Sequence, residues 1–297
     1  MSTVASEKLI PSASLILVNE RNEVLLVQRS SQTRSFAGMH VFPGGNFDAG
    51  RDTSLAITAI RETFEETGLL LTSPKSPRTL SKSDLDWTRR AVHHQELDFQ
   101  TFLLRHKCVL PLESLHHFTT WITPSYASRR FRTQFFISFL PTCLEGDPSG
   151  ASIGRVPTTD GGEEVQSTCF VHPRVAIAEF KKGSIKLAPP QYYILETLRQ
   201  LLPGDTNTPE ERERLIQLSQ GPFGRLVIQP RLYHDSVSGA KIFLYEGDEL
   251  RGGPVGRLHR AIVKQSGMFF SEIDLQRNFN IFEVDVSEAS EAPATKL

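Results

Sequence analysis

Residues 61–68 read Arg-Glu-Thr-Phe-Glu-Glu-Thr-Gly. On a helix Glu62, Glu65 and Glu66 stand at i, i+3 and i+4, so three carboxylates share one face. Gly68 has the character of the residue that ends such a helix, which puts Glu65 and Glu66 in its last turn. There the negative pole of the helix opposes each by about 0.3–1 kcal/mol, and Glu62 repels Glu66 by about 0.2–0.5 kcal/mol. Arg61 can reach Glu65, but one guanidinium does not neutralise three anions. A hard divalent cation such as Mg2+ turns this repulsion into a binding site built from oxygen ligands. The spacing therefore reads as a metal site rather than a solvated acidic surface.

A helix that carries this face needs an apolar opposite side. Ala56, Ala59, Ile60, Thr63 and Phe64 supply it, with Asp52 as the expected N-cap and Gly68 as the end. Upstream, the β-rich runs 13–18 and 24–28 flank the polar turn 19–23 and predict a hairpin. A loop then leads to Phe42-Pro43-Gly44-Gly45, where glycine lets backbone approach a ligand closely. Downstream, 83–108 reads as helical, 118–123, 131–140 and 165–171 as strands, 146–162 as a Gly-, Pro- and Ser-rich loop, and 173–180 and 190–202 as helices. Strands and helices mixed in this way predict a sheet covered on both faces.

The stretch from Gly45 to Leu69 resembles the Nudix box, Gly-x5-Glu-x7-Arg-Glu-apolar-x-Glu-Glu-x-Gly-apolar. Arg61, Glu62, Glu65, Glu66, Gly68 and Leu69 fit it, with Thr63 in the apolar place. Gly45 and Arg61 lie two positions farther apart than the pattern has them. Arg51 or Thr53, depending on the end counted from, stands where the first glutamate belongs, and Asp48 and Asp52 are the available substitutes. The resemblance implies a Nudix-type α/β/α sandwich with a mixed sheet. It also implies Mg2+ or Mn2+ bound against a diphosphate, with Glu65 and Glu66 as the strongest ligands, Glu62 as another and the Gly45 carbonyl completing the set. Arg61 would orient the glutamates. Glu163 and Glu164 follow a glycine-rich loop, where the family often keeps an extra carboxylate as base or ligand, and Glu164 joins Glu62, Glu65 and Arg61 as a catalytic candidate.

The run from Leu25-Leu26-Val27-Gln28-Arg29-Ser30 through Arg34 and Gly38 to Phe42-Pro43-Gly44-Gly45 is similar to the coenzyme A signature of Nudix hydrolases, departing only at Val27. Arg29, Arg34, Gly38 and Gly44 are accordingly the expected substrate-binding positions, since guanidinium binds phosphate bidentately. Trp121-Ile122-Thr123-Pro124, Arg129-Arg130-Phe131, Gln134-Phe135-Phe136 and Pro189-Pro190 further resemble the peroxisomal acyl-coenzyme A diphosphatase subgroup. The implied substrate is a small nucleotide, coenzyme A or its thioesters. An ADP-ribose or other nucleoside-diphosphate hydrolase and a non-catalytic nucleotide sensor are the rivals, the latter motivated by the altered box.

Thirty-three Lys and Arg oppose 34 Asp and Glu, a net charge of -1, so nothing attracts the chain as a whole to nucleic acid or anionic membrane. No apolar run reaches the length of a membrane span, and the start lacks a secretory pattern. Cys108, Cys143 and Cys169 form no Cys-x-x-Cys pair and are expected to be buried free thiols in a reducing compartment. His93-His94 and His116-His117 lack ligand spacing. The expected site is intracellular, peroxisomal or cytoplasmic, the former because Thr295-Lys296-Leu297 approximates a Ser-Lys-Leu address. Three regions are expected: a Nudix domain over 8–203, a C-terminal extension over 210–286, and a disordered tail from 287. The sequence leaves the extension's place in the fold and the oligomeric state open.

Overall fold

The computed structural model describes residues 9–33, 35–73, 80–140 and 157–283. Arg34, Cys143, the tail from 287 and all but the end of the 146–162 loop lie outside these ranges.

Strands β1 (Ile10–Val18) and β2 (Val24–Arg29) form the expected hairpin, followed by β3 (His40–Val41) and β4 (Gly44–Asn46) inside what the sequence suggests is a loop. Helix α1 (Leu55–Thr67) carries the glutamates. The single helix expected over 83–108 is two, α2 (Lys82–His93) and α3 (Phe99–His106). The chain turns between them with Gln95 at φ 60°, and Asp98 caps α3 by accepting from the Thr101 N–H. Then come β5 (His116–Ile122), β6 (Phe131–Phe139), β7 (Val165–Val171), α4 (Pro173–Lys182) and α5 (Pro189–Leu201). The remainder adds α6 (Pro209–Gln220), α7 (Pro222–Arg225), β8 (Val227–Ile228), β9 (Arg231–His234), β10 (Lys241–Leu244), β11 (His259–Ser266) and β12 (Phe269–Arg277).

The main sheet runs β3-β2-β1-β6-β5-β8, with β4 also on β1 and β7 on β2. It is mixed: β1 lies parallel to β6 and β8 parallel to β5, while the other pairs are antiparallel. The burial of β1 explains the layering. Leu15 and Leu17 point into a cluster with Ile60, Phe64, Phe99 and Phe102 of α1 and α3, and Ile16 and Val18 point the other way, into a cluster with Tyr193, Leu195 and Leu198 of α5. Successive strand residues face opposite sides, so one continuous apolar strand serves two cores. The result is the α/β/α sandwich with mixed sheet that the sequence implies.

The segment after 209 does two things. Its β8 extends the main sheet, and β9–β12 form a second, antiparallel sheet in the order β12-β11-β10-β9. Phe243, Tyr245, Ala261, Val263 and Ile273 of this part share the cluster that includes α5. The fully buried His259 links the two, its Nε2 lying 2.9 Å from the Tyr193 hydroxyl and its Nδ1 2.6 Å from the Glu246 carbonyl. Burial pushes its pKa down to about 3, so the imidazole stays neutral at this joint. Arg277 adds a hydrogen bond to Thr197 Oγ1 at 3.0 Å and lies over the Tyr193 ring. Among the described residues no helix is long and apolar enough to cross a membrane. Cys108 and Cys169 are free thiols as expected, but Cys108 is half-buried and Cys169 exposed rather than both buried.

Candidate active site

Backbone placement comes first. Gly44 and Gly45 pair with Ser14 and Ala13 of β1, and β4 packs between β1 and α1. A Cβ on Gly44 would collide with the Ala13 carbonyl, and one on Gly45 with the Glu62 carboxylate. The pair is glycine because the strand is clasped that tightly between its neighbours. The α1 helix ends on Gly68 at φ 73°, as expected. Thr63 fills its apolar position by donating its hydroxyl to the Ala59 carbonyl at 2.7 Å, so burial leaves no unsatisfied group.

Arg61 is the hub. It is 1% exposed, and its Nε and Nη2 each donate at 2.8 Å to one oxygen of Asp52. Its Nη1 lies 2.9 Å from both Glu65 Oε1 and Glu62 Oε1. Asp52 is therefore not the N-cap, a place taken by Ser54, whose hydroxyl accepts from the Ile57 N–H. Asp52 is turned inward instead, held by Arg61 and by the Thr58 hydroxyl. Asp48 accepts from the Gly50 N–H, and the Asp52 N–H donates to the Asp48 carbonyl. The two additional residues are thus absorbed in a compact 48–52 turn.

The three glutamates sit in different fields. Glu65 Oε1 also receives Arg51 Nη2 at 2.9 Å, and Oε2 lies 3.6 Å from His93 Nδ1. Burial pushes the Glu65 pKa up, but the His93 hydrogen bond and the Arg61 and Arg51 charges outweigh it and hold it below the usual range. His93, in turn, is pushed up to about 9 by Glu65. Glu66 accepts from Arg29 Nη1 at 3.1 Å and from the Gly44 N–H at 3.0 Å, yet burial pushes it up to about 8. Glu62 is pushed up to about 7 by burial that Arg61 only partly offsets. Glu62 and Glu66 are therefore anionic positions short of positive charge, while Glu65 is saturated with it.

The same Arg29 reaches Glu164 Oε2 at 3.1 Å, tying the half-exposed loop carboxylate to the helix. Gly38, at φ 69°, donates its N–H to the Arg29 carbonyl and so fixes the loop around that arginine. Of the expected site residues, Arg29, Gly38, Gly44, Gly45, Arg61, Glu62, Glu65, Glu66 and Glu164 are drawn together, and Arg34 lies outside the described residues. Arg51 and His93 join them without having been assigned such a place from sequence, and Asp52, one of the two substitutes the sequence offers for the missing glutamate, joins them through Arg61. His93 reaches Glu163 Oε2 at 3.2 Å as well as Glu65, which no ligand spacing foretold.

Two connected spaces open here. A cavity of about 290 Å3 is lined by Glu62, Glu65, Glu66, Asp48, His93 and Glu164. A groove of about 740 Å3 shares Asn46, Glu62 and Glu164 with it and runs past Arg29 toward Trp121, Phe131 and Pro189. The donors fit a hard divalent ion: Glu62 and Glu66 are under-compensated carboxylates beside the Gly45 backbone, all oxygen ligands. Glu65 would have to exchange a cation it already holds. A pH dependence follows. A carboxyl whose folded pKa is raised above its ordinary 4.5 favours folding below 4.5 and loses that favour as pH rises through the folded value. In chelator the melting temperature should fall as pH climbs from about 5 to 9, and Mg2+ or Mn2+ should restore it most at the alkaline end. A melting series across pH with and without metal measures this, and equal stabilisation at every pH would contradict it.

The family model described as the NUDT19 Nudix domain matches residues 49–198, half of the chain. The chain belongs to the Nudix family. In this Nudix chain the match leaves out Gly44 and Gly45, the Arg29 segment and the C-terminal sheet. Acyl-coenzyme A diphosphatase NUDT19 of Xenopus laevis is 25% identical over 242 residues, covering 61% of this chain and 60% of its own. The human protein of the same name is 30% identical over 160 residues, or 50% of this chain and 39% of its own. The chain thus spans at most about 60% of these relatives' length. A crystal structure of a Nudix hydrolase from Alicyclobacillus acidocaldarius superposes with a TM-score of 0.53 at 23% identity, covering 65% of this chain and 92% of that one. That likeness establishes the fold.

Proposed function

We propose that this chain is a divalent-metal-dependent diphosphatase that cleaves the pyrophosphate of coenzyme A or its thioesters, giving 3′,5′-ADP and phosphopantetheine or its acyl form. The observation that carries the reading is Arg29, which joins Glu66 of the metal cavity to Glu164 at the mouth of the long groove. A diphosphate laid at that junction meets a guanidinium suited to phosphate and places its two halves in different surroundings. The coenzyme A signature around Arg29 and the relatives named acyl-coenzyme A diphosphatase support the same substrate.

Glu62, Glu66 and the Gly45 carbonyl, with Glu65 once it yields a cation partner, would hold Mg2+ or Mn2+. Such an ion screens the diphosphate and polarises the phosphoryl oxygens under attack. Glu62 lines both spaces, so an ion it holds would stand where the diphosphate enters from the groove. Glu164, which also lines both spaces and is held by Arg29, would orient the attacking water or take its proton. Arg61 keeps Glu62 and Glu65 in place. The compact 48–52 turn and the Asp52–Arg61 pair leave the box intact, which speaks against a role confined to binding.

The test is mass spectrometry of products from coenzyme A, acyl-coenzyme A, ADP-ribose, NADH and nucleoside triphosphates, each with Mg2+ or Mn2+. The expected result is 3′,5′-ADP from the coenzyme A compounds. Turnover of ADP-ribose with no cleavage of any coenzyme A compound would remove the substrate assignment, and binding without turnover of anything would remove the activity.

A further inference from the structure

His93 and His94 are neighbours in sequence, and inside a helix neighbouring side chains point about 100° apart. These two converge because α2 ends between them. His93 is its last residue and His94 its C-cap, at φ -80° and ψ 5°, and Gln95 then turns the chain at φ 60°. The rings stand edge to face with centroids 5.3 Å apart. Glu163 meets both: its Oε2 lies 3.2 Å from His93 Nε2 and its Oε1 3.8 Å from His94 Nε2. One ligand atom from each of the three side chains falls within 4.8 Å of the others.

A well-tied loop delivers the carboxylate. Arg89, one turn before His93 on α2, donates to the Thr159 carbonyl at 2.9 Å and to the hydroxyl and carbonyl of Thr158. Asp160 then accepts from the N–H groups of Gly162, Glu164 and Val165, on both sides of Glu163. The helix that supplies the imidazoles thus also holds the loop that supplies the carboxylate.

Two imidazoles and a carboxylate suit Zn2+ rather than Mg2+, which prefers oxygen ligands and water. With bonds of about 2.0–2.1 Å, a tetrahedral ion sets its ligand atoms about 3.4 Å apart. The separations of 3.2 and 3.8 Å bracket that spacing. The other ring nitrogen of His93, Nδ1, faces Glu65 Oε2 at 3.6 Å. A carboxylate behind the ring orients the imidazole and turns Nε2 toward an ion. Bound there, the ion takes the place of the Nε2 proton and gains from the negative pole at the end of α2. His94 and Glu163 are about half exposed, so solvent reaches the fourth position.

We propose that His93 Nε2, His94 Nε2 and the Glu163 carboxylate form a Zn2+ site, separate from the glutamate cavity, that clasps the loop carrying Glu164 to the end of α2. It stands whether or not coenzyme A is the substrate.

The test is a calorimetric titration of the full chain with Zn2+ in saturating Mg2+, which fills the oxygen-lined cavity and is a poor partner for imidazole. A single Zn2+ should bind. His94→Ala and Glu163→Gln should each weaken it about tenfold or more, and Glu66→Gln should leave it unchanged. Both exposed-residue variants should melt like wild type in chelator. Hydrogen exchange of the 158–165 amides should slow on adding Zn2+ to wild type and stay unchanged in His94→Ala. Zn2+ binding lost in Glu66→Gln but kept in His94→Ala would put the ion in the glutamate cavity and overturn the proposal. Absence of Zn2+ binding would also overturn it, leaving the cluster a plain ion pair. Neither result touches the proposed diphosphatase activity.

Discussion

Glu66→Gln is expected to lower kcat on coenzyme A at least about a thousandfold while the variant melts, in chelator, no lower than wild type. The two halves of this result come from one fact. Glu66 is a buried carboxylate whose pKa is pushed up to about 8, because burial outweighs the attraction of Arg29. Below that pH the metal-free protein already keeps the group largely protonated, so a neutral glutamine of the same shape disturbs little. In the wild type Arg29 Nη1 and the Gly44 N–H reach different carboxylate oxygens, so the single amide oxygen keeps one of these two bonds. Above pH 8 the variant should be the more stable of the two. What glutamine cannot supply is the anionic ligand that a divalent cation requires. Kinetics with saturating Mg2+ and melting curves in chelator check both halves. Retained turnover, or a variant that no longer melts cooperatively, would contradict the assignment. Glu65→Gln should behave differently. Its carboxylate balances Arg61, Arg51 and His93, so its loss should reduce stability as well as activity.

The contrast between these two glutamates was not legible in the sequence, although the cluster was. Spacing on one helix fixes which side chains share a face, and the Glu62, Glu65, Glu66 triplet with its terminal Gly68 is a local statement of that kind. What each carboxylate meets is decided by distant residues. His93 stands next to Glu65 and Glu163 because α2 packs on α1 and a loop 70 residues further along returns to it. The N-cap expectation failed for a related reason. Asp52 and Ser54 are both capping types, and the buried Arg61 guanidinium claims the stronger anion, leaving the serine to cap. In 83–108 the apolar spacing continues across a break that no Gly or Pro marks, and Gln95 turns the chain by adopting a positive φ. Strands β11 and β12 went unread because their half-exposed, charge-bearing runs acquire meaning only by pairing with each other and covering α5. The strands of the main hairpin, buried on both sides, announced themselves through β-branched and leucine runs.

Arg61→Ala is expected to cost about 3–5 kcal/mol of folding free energy, the penalty of breaking a buried ion pair from one side. The Asp52 side chain is fully buried and its folded pKa lies below the ordinary value: burial pushes it up, but the two Arg61 hydrogen bonds and the Arg61 charge more than offset that. Without Arg61 the carboxylate keeps only the Thr58 hydroxyl and the Asp48 N–H as donors, and Glu62 and Glu65 lose their shared cation. Arg61→Lys should recover only part of the loss, because an ammonium cannot span both Asp52 oxygens while also reaching Glu65. The decisive comparison is the double variant Asp52→Leu with Arg61→Met. An apolar pair of similar volume removes both desolvated charges, so it should be markedly more stable than either single variant. It should nonetheless remain inactive, since Glu62 then loses the cation that holds it and Glu65 keeps only Arg51 and His93. Urea titrations of the two single variants and the double, each paired with turnover of coenzyme A, separate the structural role of Arg61 from its role at the site. A loss below about 1 kcal/mol on Arg61→Ala would place the ion pair among those worth little and take the hub out of the account of how the glutamates are held.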